Sequence, residues 1–579
     1  MTDTVTDTDT GSTAAGAPGM LEQQAFRAMR WIARMSAYDI ATAVLIAALA
    51  IAALSTFKDY GISNDEGVQH QYGELIIAYY RSGFADQRLF SFDNLYLYGG
   101  LFDVVAVGLS HLLPMDPYDL RHILCALIGI SGVGATAATA RLIAGPRAGF
   151  IAAIGLSVCG AWYGTMFNHT KDIPLATAMM GGTFFLIRIS RTLPAPRWSD
   201  VVALGLCTGA ALGMRVLGLL LVVYGTIAIV LYMPRPLLGH RLSHWRSHGQ
   251  NPGGERLGFI VASSLRLLPA LALAYAIMIV TWPWSALAPL NPIRGLFAFS
   301  EFQYHIDTVL AGHVYEMASV PRLYVPIYIL IRVPLLTLFG AALAMIFAAW
   351  PRLTAATSPL PRKDVALVAL TVMFPLTCQV ICHGPAFTGL RHFLFVIPSL
   401  AVLAGVGLDT AVTALDGQRR AVAALALAVI TATCLWNAVT LVRLHPYEYL
   451  FYNPVVGGLE GASRRYDTDY WVNIMPAAID QLEDYINRTE NTGGKRTKHN
   501  YTVAVCGDRL SFEHEAKERL LQWTWMKQWR EADFFIAPTH MNCDRALDGK
   551  VIVTIQRLGV PIGVVKDRRG LNRTAAAEH

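Results

Sequence analysis

Long apolar runs recur along this chain, and they constrain its fold more than any other feature of the sequence. Eleven runs approach the length that a helix needs to cross a lipid bilayer. They are 38–56, 120–142, 148–166, 173–190, 199–215, 217–233, 258–282, 323–349, 365–382, 393–414 and 421–441. Because 54% of the 579 residues are hydrophobic and only 15% are charged, an ordinary soluble enzyme is excluded. The sequence predicts a mainly α, polytopic membrane protein of about eleven transmembrane helices.

The cations between these runs set the predicted orientation, because short cytoplasmic loops collect Lys and Arg. Alternate connecting segments are basic, and we assign them to the cytoplasmic side: Arg27, Arg30 and Arg34; Arg141 and Arg147; Arg188, Arg191 and Arg197; Arg235, Arg241, Arg246 and Arg256; Arg352, Arg362 and Lys363; Arg419 and Arg420. The run 101–113 is short and contains Asp103, so we interpret it as an interfacial helix. Residues 1–37 are then a partly disordered cytoplasmic tail. The loops on the outer side are 57–119, 168–172, 283–322 and 383–392.

The last part of the chain, residues 443–579, is hydrophilic and large enough for a core of its own. It contains a helix-like stretch at 474–487, β-like runs at 501–506, 533–536 and 551–565, and a helical pattern at 512–529. We expect a small α/β domain on the outer, periplasmic side, after a transmembrane catalytic domain at 38–442. In that compartment Cys506 and Cys543 could pair, although spacing alone leaves the disulfide open.

An acidic pair, Asp65 and Glu66, follows the first apolar run on the predicted outer side. Two carboxylates at the mouth of a membrane cavity can serve as a general base and its electrostatic partner. Helical spacing then places Gln69 and His70 on the same face as Glu66. A solvated interfacial helix is the alternative interpretation of this pattern.

Three further ionisable motifs border apolar runs. Asp172 follows Lys171 in a compact polar group, and it begins a span where a charge is costly and usually faces a cavity or partner. Arg215 interrupts almost continuous hydrophobic sequence, and Arg391 stands just before another span. A guanidinium group in such a place suits a lipid phosphate. Snorkelling to ordinary headgroups is the alternative for both arginines.

The loop 283–322 contains Glu301, His305 and His313 among aromatic residues. Aromatic side chains at a membrane boundary usually form an interfacial belt. Sugar stacking or a metal site remains an alternative, but the spacing matches no standard zinc pattern.

Taken as an ordered set, these motifs resemble the membrane glycosyltransferases of the GT-C superfamily, nearest to the protein O-mannosyltransferase and lipid A aminoarabinose transferase branch. The resemblance covers residues 38–440 and rests on Asp65-Glu66, Asp172, the cation at Arg215 and the stretch that begins at Arg391. It implies an inverting transfer of a sugar from a polyprenyl-phosphate donor to an acceptor hydroxyl at the outer face of the cytoplasmic membrane.

The resemblance also implies roles for single residues. Asp65 would take the acceptor proton, Glu66 would assist it, and Asp172 would order the site. The predicted contacts to the donor phosphate or lipid are Lys171, Arg215 and Arg391. The predicted substrate contacts are Gln69, Tyr72, His169, Glu301 and His305. No cofactor is required, a divalent metal stays open, and residues 96–103 lack the His-Pro-Pro segment common in bacterial relatives, which leaves donor and acceptor undefined.

Two other classes compete with the enzyme. A transporter or flippase of a lipid-linked substrate would place ionisable groups near the bilayer midplane, often within repeated, broken helices. Here the charged motifs gather at one predicted face and no repeat is evident, so we favour the enzyme. A non-catalytic scaffold explains the tail but not the placement of acids and cations. The net charge of +6 is spread along the chain, so no nucleic-acid partner is expected.

Overall fold

The computed structural model describes residues 35–234, 252–300, 305–353, 360–417, 419–490, 500–516 and 520–571. A bundle of helices precedes a small sheet domain. The helices of the bundle are α1 (Ala37–Thr56), α2 (Glu66–Arg81), α3 (Leu101–Ser110), α4 (Pro117–Ala144), α5 (Pro146–Ser157), α6 (Gly160–Tyr163), α7 (Asp172–Ser190), α8 (Trp198–Leu212), α9 (Leu219–Tyr232), α10 (Pro252–Thr281), α11 (Pro283–Leu287), α12 (Asn291–Ser300), α13 (Tyr324–Arg332), α14 (Leu335–Ala349), α15 (Arg362–Cys382), α16 (Ile397–Asp416) and α17 (Arg420–Leu444). A two-stranded hairpin, β1 (Asp307–Leu310) and β2 (His313–Glu316), lies between α12 and α13.

Every predicted apolar run coincides with a helix or a pair of helices. Within the described residues, seven helices are long and apolar enough to cross a membrane, or up to eight if a bent pair counts as one span. This pattern confirms the mainly α, polytopic class, while the count of eleven crossings stays a prediction. The run 323–349 differs from a straight span because α13 and α14 meet at 113°. Pro334 explains the break, since proline disfavours helical geometry at Val333, which is extended.

The helix starts follow from local chemistry. Ser36 and Asp39 form a capping box at α1, in which each side chain binds the backbone of the other residue. Asp116 caps α4 by accepting from the backbone N–H groups of Tyr118 and Asp119, and Pro117 occupies the first helical position. These caps define where the chain leaves each loop and enters the bundle.

The predicted interfacial segment is a short helix, α3, whose start is bound to two distant turns. Leu101 N donates to Gly213 O at 3.0 Å, and Gly100 N donates to Thr281 O at 2.9 Å. The backbones approach so closely that a Cβ at Gly99 would stand 2.0 Å from Gly213 O, which only glycine avoids. The first long loop is thereby attached to the turn that carries Arg215.

The two ends of the bundle carry charged groups that the sequence assigns to opposite sides of the membrane. At one end, cations assigned by sequence to the cytoplasmic side pair with acids on neighbouring helices. Arg141 Nε lies 2.6 Å from Asp39 Oδ1, and Arg188 Nη2 lies 3.0 Å from Asp200 Oδ1. The loops assigned to the outer side meet at the other end, which we call the site end, and the tail packs there.

The tail contains α18 (Gly458–Ala462), α19 (Met475–Glu490), β3 (Tyr501–Val505), α20 (Arg509–Glu515), β4 (Leu521–Trp523), β5 (Phe534–Pro538), β6 (Lys550–Arg557) and β7 (Val560–Asp567). The strand order in the sheet is β4-β3-β5-β7-β6, with parallel pairing on both sides of β3 and antiparallel pairing of β7 with β5 and β6. The predicted small α/β region and its strands are confirmed. The predicted helix at 512–529 is wrong at 521–523, because these residues pair in parallel with β3 and this sheet contact overrides local helical preference. A 3₁₀ helix follows at Met526–Glu531.

Cys506 and Cys543 form a disulfide across 37 residues. Closing a loop of this size stabilises the folded state by about 4 kcal/mol. We expect dithiothreitol to lower the thermal unfolding temperature of the wild-type protein but not that of the Cys506→Ser/Cys543→Ser variant. Cys382→Ser, which removes an exposed free thiol, is the control and should behave as the wild type. Equal labelling of Cys506 and Cys543 with and without reductant, in denatured protein, would contradict the pairing.

Candidate active site

Four charged side chains from four separate segments meet at the site end. Arg391 lies at the centre: its Nη2 binds Asp65 Oδ2 and its Nε donates to Asp172 Oδ2 at 3.0 Å. Arg215 Nη2 reaches the other oxygen, Asp172 Oδ1, at 2.7 Å. The four groups therefore form a row of alternating charge, Asp65–Arg391–Asp172–Arg215, which we call the charged chain.

Each member stands where a helix begins or a turn interrupts the bundle. Asp65 immediately precedes α2, and Asp172 is the first residue of α7. Arg215 lies in the turn between α8 and α9, and Arg391 begins the 3₁₀ segment Arg391–Val396 that leads into α16. Because these ends share one side of the bundle, residues far apart in sequence become neighbours.

The two acids of the charged chain differ in solvent exposure. The Asp65 side chain is 36% exposed, whereas that of Asp172 is 4% exposed. Asp65 can therefore meet a substrate from solvent, while Asp172 is enclosed and bonded to two guanidinium groups. This geometry suits a reacting carboxylate supported by a structural one.

Glu66 points away from solvent and fixes the turn that carries Asp65. Its Oε2 accepts from Ser63 N at 2.8 Å, and its carboxylate lies 3.2 Å from His122 Nε2. Glu66 is fully buried. The structure thus places Glu66 behind Asp65, where it holds the backbone of the turn.

Arg121 connects three elements of the site from below. Its Nη2 donates to Asp103 Oδ1 at 2.9 Å, to Thr170 Oγ1 at 3.1 Å and to Gln69 Oε1 at 3.2 Å. Thr170 also donates to Gln69 Oε1 at 2.6 Å. One buried guanidinium group thereby joins α2, α3 and the polar loop before α7.

Lys171 is buried next to the residues that Arg121 binds. Its Nζ is 3.6 Å from Asp103 Oδ2 and 4.9 Å from the centre of the Tyr98 ring. Burial lowers the pKa of the Lys171 ammonium group, and the nearby Asp103 carboxylate opposes that shift. Arg215 lies over the same Tyr98 ring at 5.4 Å, so the two cations flank one aromatic side chain.

The predicted substrate contacts fall in different places. Gln69 is buried beside Arg121, and Tyr72 is buried beside Tyr98. His169 is buried against Tyr470 of the tail. His305 is exposed and its Nδ1 lies 2.6 Å from Glu316 Oε1. Within the described residues, His305 forms no ion pair with the four charged side chains of the site. Glu301 lies outside the described residues. No group of three metal-binding side chains occurs in the part of the chain that the structure describes.

A cavity of about 380 Å³ opens beside Arg215. Its wall is mostly apolar, and the polar side chains that line it include Tyr98, Arg215, Gln379 and His392. The Nε of Arg215 is buried and has no hydrogen-bond partner among the residues that the structure describes. A buried N–H without a partner is costly, so an anionic group that reached this nitrogen would be bound favourably.

Three residues of this site were not singled out from the sequence: Arg121, His122 and Trp471. Arg121 and His122 stand at the start of an apolar run, and the cost of an ionisable group in a span was a usable signal for both. Trp471 contacts Arg391, and no sequence signal links these two residues because the contact exists only after the tail folds back.

Residues 109–246 match the family model described as dolichyl-phosphate-mannose-protein mannosyltransferase. The matched segment contains Arg121, Lys171, Asp172 and Arg215. A comparison with curated protein sequences finds no significant match.

Two solved structures show remote likeness. ArnT from Cupriavidus metallidurans bound to undecaprenyl phosphate is 16% identical, with coverage of 90% of this chain and 97% of that chain and a TM-score of 0.44. The oligosaccharyltransferase AglB from Archaeoglobus fulgidus, in complex with an inhibitory peptide and a dolichol-phosphate, is 11% identical, with coverage of 85% and 69% and a TM-score of 0.39. No residue role is transferred from either. The family match confirms, over residues 109–246, the predicted resemblance to the protein mannosyltransferase branch of the GT-C membrane glycosyltransferases.

Proposed function

We propose that this protein is an inverting glycosyltransferase that moves a sugar from a polyprenyl-phosphate donor to an acceptor hydroxyl. The proposal rests on one observation: a carboxylate and an apolar cavity are connected through the same charged residues. A partly exposed carboxylate, Asp65, belongs to the same charged chain as Arg215, and Arg215 borders a mostly apolar cavity. The family match over residues 109–246 supports the same activity.

In the proposed reaction, the oxygen of the acceptor hydroxyl attacks the anomeric carbon of the sugar, and Asp65 accepts the proton of that hydroxyl. The bond between that carbon and the phosphate oxygen breaks, and polyprenyl phosphate leaves with the electron pair. Attack from the face opposite the phosphate inverts the configuration. A positioned general base accelerates such a step by about 10²- to 10⁴-fold.

The donor lies with its isoprenoid chain in the apolar cavity and its phosphate at Arg215. The unpaired Nε supplies a charge-assisted hydrogen bond to the departing phosphate oxygen, and this bond strengthens as negative charge develops there. Asp172 binds Nη2 of Arg215, which restrains the guanidinium group beside the cavity. Lys171 and Arg391 remain predicted donor contacts, and both lie in contact with the acids of the site.

The site end faces the outside of the cytoplasmic membrane in this proposal, and the amino terminus is cytoplasmic. The distribution of cations along the sequence supports that orientation. The disulfide in the tail supports it too, because disulfides persist in oxidising compartments. A division into a catalytic domain at 38–442 and an outer domain at 443–579 accompanies the proposal.

Asp65→Asn should lower transfer at least about 100-fold, because the amide cannot accept the proton but preserves the shape of the side chain. We would measure the envelope glycans, lipids and proteins by mass spectrometry in a deletion strain complemented with each variant. A glycosylated product restored by the wild type and not by Asp65→Asn would identify the acceptor.

The matched control is Asp93→Asn, which removes one exposed carboxylate from the same long loop and should restore the product fully. If Asp65→Asn restored the product as well as the wild type, the proposed base would be excluded and transport or scaffolding would be favoured.

Arg215→Gln should weaken binding of undecaprenyl phosphate by about 10- to 100-fold, because it removes a charged hydrogen-bond donor from the cavity wall. Asp172 keeps its bond to Arg391 in this variant, so we expect the thermal unfolding temperature to change little. Affinity is measured with the purified full chain in detergent.

The control for charge is Arg88→Gln. The side chain of Arg88 is 72% exposed, and among the described residues its only ion pair is with Asp86. Undecaprenol, which lacks the phosphate, should bind wild type and Arg215→Gln equally. A loss of undecaprenol binding would show that the substitution damages the cavity and not the phosphate contact.

A further inference from the structure

One turn of the tail reaches into the charged chain of the site. The indole ring of Trp471 lies on Arg391, with the guanidinium carbon 4.3 Å from the ring centre. Trp471 is 4% exposed and the Arg391 side chain is 9% exposed, so the contact is nearly free of water. A cation over an indole face gains most when both groups are desolvated.

The other edge of the same indole is bound to the loop that carries Asp172. Trp471 Nε1 donates to His169 Nε2 at 2.9 Å, and the Tyr470 hydroxyl lies 2.7 Å from that nitrogen. His169 Nδ1 then donates to Asn168 Oδ1 at 3.1 Å. Burial lowers the pKa of His169 to about 3, so the ring stays neutral and keeps the lone pair that Trp471 needs.

The backbone of the turn is held in a costly conformation. Val472 has φ of +56°, a left-handed geometry that a β-branched residue rarely adopts. The Asp469 carboxylate accepts from Asn473 N at 2.9 Å and from Ile474 N at 3.1 Å, which fixes the chain on the far side of Val472. Backbone strain of this kind persists only where surrounding contacts impose it, and it concentrates at functional sites.

We propose that Trp471 is a positioning residue of the active site: its indole holds Arg391 in the orientation that bridges Asp65 and Asp172, so the tail completes the catalytic centre. The inference rests on the proposed function. Without the ring, water reaches the guanidinium group and weakens both ion pairs, because charges interact less strongly in a medium of higher dielectric constant. Asp65 then loses the contact that orients it toward the acceptor.

The test compares Trp471→Leu, which removes the aromatic face, with Trp471→Phe, which keeps an aromatic face and removes the bond to His169. We expect the rate of product formation per amount of protein, followed after induction in the complemented strain, to fall about tenfold in Trp471→Leu. Trp471→Phe should retain at least about one third of the wild-type rate. The affinity of purified Trp471→Leu for undecaprenyl phosphate should fall much less than that of Arg215→Gln, because Arg215 and the wall of the cavity are unchanged.

The matched control is Trp525→Leu, a tryptophan of the tail that is 62% exposed and should leave the rate unchanged. A wild-type rate in Trp471→Leu would overturn the inference, and so would a rate in Trp471→Phe as low as that in Trp471→Leu. A parallel loss of unfolding temperature and lipid affinity in Trp471→Leu would reduce Trp471 to a structural residue.

Asp65→Asn, assayed beside these variants, separates the two proposals. Loss of product in Asp65→Asn with a normal rate in Trp471→Leu would overturn the role of Trp471 alone. Full product in Asp65→Asn would overturn the proposed function and this inference with it.

Discussion

A carboxylate taken out of water must find a cation, and the site end of this protein is organised by that requirement. Asp172 is almost fully enclosed and is bonded to both Arg391 and Arg215. Arg391 in turn holds Asp65. Removing Arg391 would take a cation from both acids at once, which is far more costly than losing a surface ion pair. The segments before α2, α7, α9 and α16 are therefore held together by charge as well as by packing.

A second layer of buried charge lies beneath the first. Arg121 donates hydrogen bonds to Asp103, Gln69 and Thr170. Glu66 lies against His122 and accepts from the backbone N–H of Ser63. The side chains of this second layer are buried, so it supports the first layer from within the fold. Asp65 is the more exposed of the two acids in the first layer, and Arg215 borders the cavity. In the proposed reaction this arrangement separates proton transfer from phosphate binding.

The tail is closely integrated with the bundle. Leu444 of α17 packs into the core of the tail, whereas Tyr452 and Tyr466 of the tail pack into the core of the bundle. Asn168 Nδ2 donates to Asn473 Oδ1 at 3.0 Å, beside the contact of Trp471 with Arg391. A boundary near residue 443 describes the change in composition well, but the packing crosses it. This exchange places the tail against the charged residues of the candidate site.

The sequence by itself determined the helical class, the runs that become helices, the small α/β character of the tail and the acids and cations that end at one side of the bundle. Bilayer length, hydropathy and charge bias all act locally, which is why the sequence records them. It also placed Asp65, Asp172, Arg215 and Arg391 among the candidates. Only the tertiary structure decided that Arg391 bridges both acids, that Glu66 and Lys171 are buried, that His305 stands apart, and that Trp471 covers the site. Pairing between distant segments depends on how helices and tail pack, and neither periodicity nor composition records which side chains then meet.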